Sequence, residues 1–302
     1  MNAEPRWTSR SIGSRLQHGI FYALIRVAGR RPAYALLFFV ALWYALRPAT
    51  RARSSAYLSR RFPGQGRLDR LRHCFLLHWN FGLALVDRAA SGILGPPEIT
   101  ASREDEETLT SLLAEERGLI MLTGHAGCWQ TSFAALDIVD RPVHVVMHRA
   151  EDDIDRHYFE HSGEKAAFGI IDPLGYLGGS LEMLDALGKK HVLCLMGDRA
   201  FGSGRNTVDT TFLGGTVKLP FSAYRLASAT GAPILVFFSR RTGPGTTVHE
   251  ISRIIRVPAG LGRSGATYRP YVQEFADALE ELTRKHPYQL FNFYDMWEHQ
   301  EP

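Results

Sequence analysis

The chain has 302 residues, 45% of them hydrophobic, and a formal net charge of +4. A chain of this length and composition can bury a substantial core, as one large domain or two small ones. Its three cysteines, Cys74, Cys128 and Cys194, match neither a disulfide framework nor a zinc site, so we predict a reducing compartment.

The N-terminus is both basic and apolar. Residues 1–62 contain eleven arginines and one acidic residue, whereas the rest of the chain contains 24 basic and 30 acidic residues. Two apolar runs, residues 20–28 and 33–46, are separated by a Gly-Arg-Arg-Pro sequence, which argues against one straight helix. The longer run would form a helix of about 21 Å, which is shorter than the ~30 Å hydrocarbon core of a bilayer.

We therefore predict that residues 1–53 are a membrane anchor that lies in the interface, next to the anionic cytoplasmic leaflet. The alternative is an ordinary helical hairpin that packs on its own domain. Nucleic acid is not an expected partner, because the arginines alternate with long aliphatic runs and do not form a hydrophilic patch.

Residues 54–302 are predicted to form the main domain, with a helical part and an α/β part. Apolar residues recur at helical spacing through residues 54–94, and a Gly-Pro-Pro sequence at 95–97 ends that pattern. A polar helix over 103–117 opens the α/β core, residues 103–302. Strands then alternate with helices, which predicts a largely parallel central sheet covered by helices. The predicted strands are 119–123, 143–147, 168–171, 192–196, 233–238 and 246–256, and the predicted helices lie near 129–138, 151–162, 178–189, 218–230 and 269–285.

Three of the predicted strands are followed by residues that suit acid–base chemistry. These segments are Gly124-His125 after 119–123, His148-Arg149 after 143–147, and Gly197-Asp198-Arg199 after 192–196. Ligands of open α/β sheets bind beyond the carboxyl ends of the strands. We therefore predict that a histidine, a carboxylate and two arginines meet at one rim of the sheet.

His125 is the candidate general base, because an imidazole exchanges protons near neutral pH and the glycines around it permit a tight turn. Gly127 would let a ligand come close, and Trp129 would cover one wall of the site. Asp198 can orient an imidazole or bind a substrate group. The alternatives are structural: His125 caps the next helix, and Asp198 pairs with Arg199 or caps a turn.

Arg149 and Arg199 are candidates for binding a phosphate, a carboxylate or a developing oxyanion, or else for structural ion pairs. The acids at 152, 153 and 155, with two nearby histidines, are more typical of the solvated first turns of a helix than of a metal site, and we expect no metal. The sequence has no Walker motif, no dinucleotide fingerprint after a strand and no Gly-x-Ser-x-Gly elbow.

Four blocks of the chain, in order, resemble a known family. Thr-Gly-His125-Ala-Gly-Cys-Trp-Gln130 is similar to the Gly-His-x-Gly-Asn-Trp-Glu block of the bacterial lysophospholipid acyltransferases, the superfamily of the late lipid A acyltransferases. The other blocks are Met196-Gly197-Asp198-Arg199, parts of 212–233, and the segment 286–297 with its Pro-Tyr-Gln sequence. The resemblance extends over most of the chain, from about residue 34 to residue 297.

The resemblance implies a membrane-bound transferase of the glycerophosphate-acyltransferase-like α/β fold, at the cytoplasmic face of the bacterial inner membrane. Its acyl donor would be acyl carrier protein or coenzyme A, with no other cofactor, and its acceptor a hydroxyl or amine of a lipid-like molecule. The Asp-Arg form of the second block and the Phe-Asn-Phe-Tyr ending resemble members encoded with aryl polyene or exopolysaccharide pathways, so a polyene chain is considered beside a fatty acyl chain. A lipid A secondary acyltransferase is the alternative enzyme.

Gln130 departs from the family pattern, in which a carboxylate five residues after the histidine orients the imidazole and offsets its charge. An amide can accept the imidazole N–H but cannot neutralise an imidazolium, and loss of such a carboxylate costs on the order of 10⁴ in rate. We therefore predict that Asp198 supplies the charge from a separate strand and that Gln130 orients His125. The alternatives are a slow enzyme in which Gln130 only orients the imidazole, and a catalytically inactive lipid-binding or assembly protein.

Overall fold

Four helices joined by short turns form the N-terminal part of the protein. The computed structural model describes residues 14–131, 139–148, 168–199 and 206–297. The helices are α1 (Arg15–Ala28), α2 (Arg30–Leu46), α3 (Pro48–Arg61) and α4 (Arg67–Leu94). Gly29, at φ 77°, separates α1 from α2, so the two apolar runs form two helices, as the Gly-Arg-Arg-Pro sequence predicts.

The helices α1 and α2 pack on α4 through a small apolar core. This core includes Ile25 of α1, Leu37 of α2 and Val86 of α4, all of them buried. Within the described ranges no helix is by itself long and apolar enough to span a membrane; α2 and α3 pass that test as a pair, with a bend of 84° between them. The division between residues 53 and 54 falls inside α3 and stays a prediction.

A seven-stranded mixed sheet follows, and most of its neighbouring strands are parallel. The strands of the described chain are β1 (Glu98–Ala101), β2 (Leu119–Thr123), β3 (Val143–Val146), β4 (Phe168–Ile171), β5 (Val192–Met196), β6 (Thr207–Phe212), β7 (Gly215–Pro220), β8 (Ile234–Gly243) and β9 (Thr246–Ile255). The sheet order is β1-β9-β8-β2-β5-β3-β4, and β6 with β7 forms a separate antiparallel hairpin. The predicted α/β class with a largely parallel sheet is confirmed.

Helices cover both faces of this sheet, so its central strands are buried on both sides. The remaining helices are α5 (Arg103–Ala114), α6 (Ser180–Gly188), α7 (Ser222–Thr230) and α8 (Arg269–Lys285). In β2, Ile120 and Leu122 belong to the larger core, which α6, α7 and α8 also line. Leu119 and Met121 of the same strand belong to a second core on the opposite face of the sheet, beside α5. The segment that carries His125 therefore starts from a strand that is enclosed from both sides.

Several elements differ from the sequence-based prediction. β1, β6 and β7 were not predicted, and the helix predicted over 218–230 begins only at Ser222, because residues 215–220 pair with β6. β9 corresponds to the strand predicted over 246–256, and it runs antiparallel to β8, since the chain reverses directly at Pro244 and Gly245. In the helix predicted near 129–138, residues 129 and 130 lie in a turn and residue 131 has 3₁₀ conformation. Residues 132–138 lie outside the described residues. The helix predicted near 151–162 lies outside them entirely.

Candidate active site

His125 and Asp198 are in direct contact at the carboxyl ends of two neighbouring strands. β2 and β5 pair in parallel, with Thr123 level with Met196. Two residues further along each chain, the Nδ1 atom of His125 lies 2.9 Å from Oδ1 and 3.1 Å from Oδ2 of Asp198. The backbone N–H of His125 also donates to Oδ2, at 3.1 Å. The predicted convergence of the histidine and the carboxylate is thus present in the structure.

Asp198 is a buried, ionised carboxylate, with only 5% of its surface exposed. Burial by itself raises the pKa of this group, but the facing imidazole of His125 and the Arg199 guanidinium outweigh that effect and lower the pKa from 3.8 to about 2. Because the pKa is lowered by folding, the carboxylate stabilises the folded state above about pH 4, and this contribution is lost as the pH falls towards 2. At neutral pH Asp198 therefore presents a full negative charge to His125.

The contact with Asp198 decides which imidazole nitrogen faces the rest of the site. Nδ1 donates to the carboxylate, which leaves Nε2 as the nitrogen that can take a proton from an acceptor. The ring of Trp129 packs edge-to-face against the imidazole, with 5.4 Å between ring centroids. Trp129 therefore lines one side of His125, where its position in the sequence predicts it.

The turn that carries His125 is held from two sides. Gly127 has φ 60°, and a Cβ atom at this position would lie 1.9 Å from the carbonyl oxygen of Ser239 in β8. The N–H of Cys128 donates to that same carbonyl, at 2.6 Å. On the other side, the C-terminal segment 289–291 pairs with residues 125–127. Gly127 thus permits a close backbone approach, and its predicted contact with substrate stays a prediction.

Arg199 lies against Asp198 and the C-terminal segment. Its Nε atom is 3.8 Å from Oδ2 of Asp198, and its guanidinium donates to the carbonyl of Phe291, at 2.9 Å. The same group lies over the ring of Tyr294, 5.3 Å from its centroid. These contacts hold the Arg199 guanidinium next to the Asp198 carboxylate. A substrate contact of Arg199 stays a prediction. Arg149 lies outside the described residues.

Gln130 is half-buried in the turn directly after Trp129. Its predicted role is to orient His125, yet the Nδ1 atom of the imidazole already faces Asp198. The orienting role of Gln130 stays a prediction.

A second histidine–carboxylate pair lies at the same rim. His148 follows β3 and Asp172 follows β4, and their side chains are 3.1 Å apart and partly exposed. The residues that were candidates for a metal site at 152–161 lie outside the described part of the chain. Within that part, no three His, Cys, Asp or Glu side chains are grouped as metal ligands.

Sequence reasoning did not assign a role to Gln289 or to the buried pair of Asp87 and Arg241. Gln289 stands in the Pro-Tyr-Gln sequence of the C-terminal block, and its carbonyl accepts from the N–H of Gly127, at 2.6 Å. Asp87 is 4% exposed, and Nε of Arg241 donates to its carboxylate. The available signal was an acid inside an apolar helical pattern, because such a charge requires a buried partner.

A buried, ionised carboxylate against a histidine at the strand ends of a covered α/β sheet is an arrangement typical of enzymes that use general base catalysis. The chain belongs to the bacterial lipid A biosynthesis acyltransferase family, whose model matches residues 20–299. It is therefore an enzyme of the acyltransferase class, and its reaction is acyl transfer to a lipid-like acceptor.

Among solved structures, the chain is similar to the 1-acyl-sn-glycerophosphate (LPA) acyltransferase PlsC from Thermotoga maritima. The two share 14% sequence identity with a TM-score of 0.39, and the match covers 83% of this chain and 98% of that one. No curated protein sequence matches the chain.

Alanine substitution should impair acyl transfer at Gly127 but not at Gly124, the two glycines near His125. We expect Gly127→Ala to lose at least about 90% of acyl transfer, because a Cβ atom there collides with the Ser239 carbonyl and the backbone is in the left-handed region. Gly124→Ala is the matched control, since its Cβ would lie at an ordinary 3.5 Å from Cγ of Asp198. Acyl transfer and the thermal midpoint of both variants test this; equal losses in the two would contradict it.

Proposed function

We propose that this protein transfers a fatty or polyene acyl group from a thioester of acyl carrier protein or coenzyme A to a hydroxyl or amine of a lipid-like acceptor. His125 is the general base of this reaction. The observation that carries the proposal is the contact of His125 Nδ1 with both carboxylate oxygens of the buried Asp198.

In the proposed reaction, Asp198 accepts a hydrogen bond from Nδ1–H and so places the imidazole lone pair on Nε2. Nε2 removes the proton of the acceptor hydroxyl as its oxygen attacks the thioester carbonyl. The tetrahedral intermediate then expels the thiolate, which receives the proton from the imidazolium. An ester and a free thiol are formed, and the negative charge of Asp198 stabilises the imidazolium between the two steps.

Asp198 takes the part that the acidic residue five positions after the histidine has in the family pattern. It supplies both the orientation and the charge, so an amide at Gln130 does not leave the imidazolium unpaired. This supports an active enzyme over a catalytically inactive lipid-binding protein. A buried ion costs several kcal/mol of desolvation, and lipid binding alone offers no use for one beside a histidine. Lipid A and aryl polyene types of acceptor both stay open.

Substitutions of His125 and of Asp198 should both impair acyl transfer, but to different degrees. We expect His125→Ala to abolish acyl transfer, and Asp198→Asn to lower kcat by about 10³- to 10⁴-fold, because asparagine keeps the shape but not the charge. The assay uses acyl carrier protein thioesters with membrane lipid extract. Asp172→Asn, in the other histidine–carboxylate pair of the rim, is the matched control and should retain activity.

The pH profile adds a second measurement to this test. With a pKa of about 2, Asp198 is ionised throughout the assay range, so the acid limb of kcat/KM reports the imidazole. A carboxylate favours positive charge on the ring it faces, and its removal therefore shifts that limb to lower pH. Equal acyl transfer by wild type and His125→Ala would instead support the inactive lipid-binding alternative.

Gln130→Glu tests whether charge at the family position limits the rate. Because Asp198 already pairs with Nδ1, we expect this substitution to change kcat by less than about threefold, or about 0.7 kcal/mol in activation free energy. Gln130→Met, which keeps the size but removes the amide, is the companion variant. A rise of about tenfold or more with Gln130→Glu would show that Asp198 does not supply the charge.

We also propose that the protein binds the cytoplasmic face of the inner membrane through the N-terminal helices. One face of α2 exposes large apolar side chains, namely Phe38, Phe39, Leu42, Trp43 and Leu46. Arginines flank this face, and Arg47 lies over the ring of Trp43. Aromatic and arginine side chains together are typical of helices that lie in the interface with anionic lipid.

Trp43→Glu should weaken binding to anionic vesicles by about tenfold, because it removes an apolar ring that would enter the interface and adds a repelled charge. Leu68→Glu is the control: Leu68 is 82% exposed on α4, compared with 62% for Trp43 on α2. Co-sedimentation with phosphatidylglycerol vesicles measures both. Equal binding by the two variants would argue against α2 as the membrane-binding face.

A further inference from the structure

A buried polar cluster links the N-terminal helices to β8. Asp87 of α4 accepts from the Tyr34 hydroxyl of α2 and from Nε of Arg241, the latter at 2.6 Å. The guanidinium of Arg241 also donates to the Tyr34 hydroxyl, at 3.3 Å, and lies over its ring. A third cation, Arg30, has its Nε atom 3.9 Å from the same carboxylate. Asp87 is thus a fully enclosed charge whose principal partner comes from the sheet.

The backbone of Arg241 is held by a side-chain amide from the C-terminal segment. Oε1 of Gln289 accepts from the N–H of Arg241, at 3.0 Å, and Nε2 of Gln289 donates to the carbonyl of Arg241, at 3.0 Å. A glutamine that satisfies both polar groups of one residue acts as a two-point clamp. These two hydrogen bonds fix the position and direction of the C-terminal segment relative to β8.

The clamped segment contacts the histidine turn directly. The carbonyl of Gln289 accepts from the N–H of Gly127, at 2.6 Å, and the N–H of Phe291 donates to the carbonyl of His125, at 2.9 Å. Leu290 forms an antiparallel bridge with Ala126. The backbone on both sides of His125 is therefore hydrogen-bonded to residues whose position Gln289 fixes.

We propose that Gln289 is a positioning residue for His125, and that the buried Asp87–Arg241 pair supports it from the side of the N-terminal helices. The imidazole must meet Asp198 on one side and the acceptor on the other. A displacement of its backbone by about 1 Å can cost on the order of 10²-fold in rate. This inference rests on the proposed role of His125 as the general base.

The chain contains a matched control for Gln289. Gln273 of α8 forms the same clamp on Thr211 of β6: its Oε1 accepts from the N–H, at 2.8 Å, and its Nε2 donates to the carbonyl, at 2.9 Å. Gln289→Met and Gln273→Met each remove such a pair of hydrogen bonds at similar volume; Gln273→Met also removes an exposed hydrogen bond to Asp277 within α8. Only the first of these pairs is connected to the histidine turn.

We expect Gln289→Met to lower kcat by about 10- to 100-fold with KM and the thermal midpoint close to those of wild type, and Gln273→Met to leave kcat unchanged. In the Asp198→Asn background, Gln289→Met should have little further effect, because both act through the orientation of one imidazole. Asp87→Asn, which keeps the shape of Asp87, should lower kcat in the same direction and be non-additive with Gln289→Met. Independent, multiplying losses, or equal losses in the two glutamine variants, would overturn the proposal.

Hydrogen exchange gives a readout that does not need activity. In Gln289→Met the peptide that contains Gly127 should exchange faster than in wild type, whereas in Gln273→Met it should not. Unchanged exchange in Gln289→Met overturns the positioning role. An absence of acyl transfer by the wild-type protein would be a failure of the proposed function, and the exchange measurement would still decide whether Gln289 holds the turn.

Discussion

The parallel pairing of β2 with β5 is the constraint on which the site depends. It sets Thr123 level with Met196, so the residues two positions beyond each strand end, His125 and Asp198, lie side by side. Both strands are buried, and cores on the two faces of the sheet prevent them from sliding past each other. The sheet therefore brings the histidine next to its carboxylate, and the turn after β2 sets the exact position and direction of the ring.

Two buried carboxylates act on the same turn from different distances. Asp198 faces the imidazole directly, and its charge is stabilised by His125 and Arg199. Asp87 is paired with Arg241, which is connected to the turn through Gln289. Each ion is costly to desolvate, and each is paired and hydrogen-bonded in the way that makes such burial tolerable. The N-terminal helices thereby join the acyltransferase core through a charge as well as through apolar packing.

The strands that are continuous apolar runs are predicted more accurately from the sequence than the strands that are partly polar. The predicted bounds of β2 and β5 match the structure because strands buried in a parallel sheet appear as short, continuous apolar runs. The predicted bounds of β4 match as well, although β4 is an edge strand with a single buried residue. The hairpin of β6 and β7 was missed because it is half polar, and its second strand was merged into the helix that starts at Ser222. The strands predicted over 233–238 and 246–256 have no predicted helix between them, and in the structure β9 is antiparallel to β8.

The sequence by itself determined that a histidine, a carboxylate and glycines follow buried strands, and that the chain resembles acyltransferases. It favours Asp198 as the charge partner of His125 but does not show their contact, because Asp198 is 73 residues away along the chain. Only the tertiary structure decided that Asp198 is the partner of Nδ1 and that Gln289 supports the turn. The reason is physical: hydrogen-bond partners are set by strand order and by the packing of the C-terminal segment, which depend on contacts between distant parts of the chain.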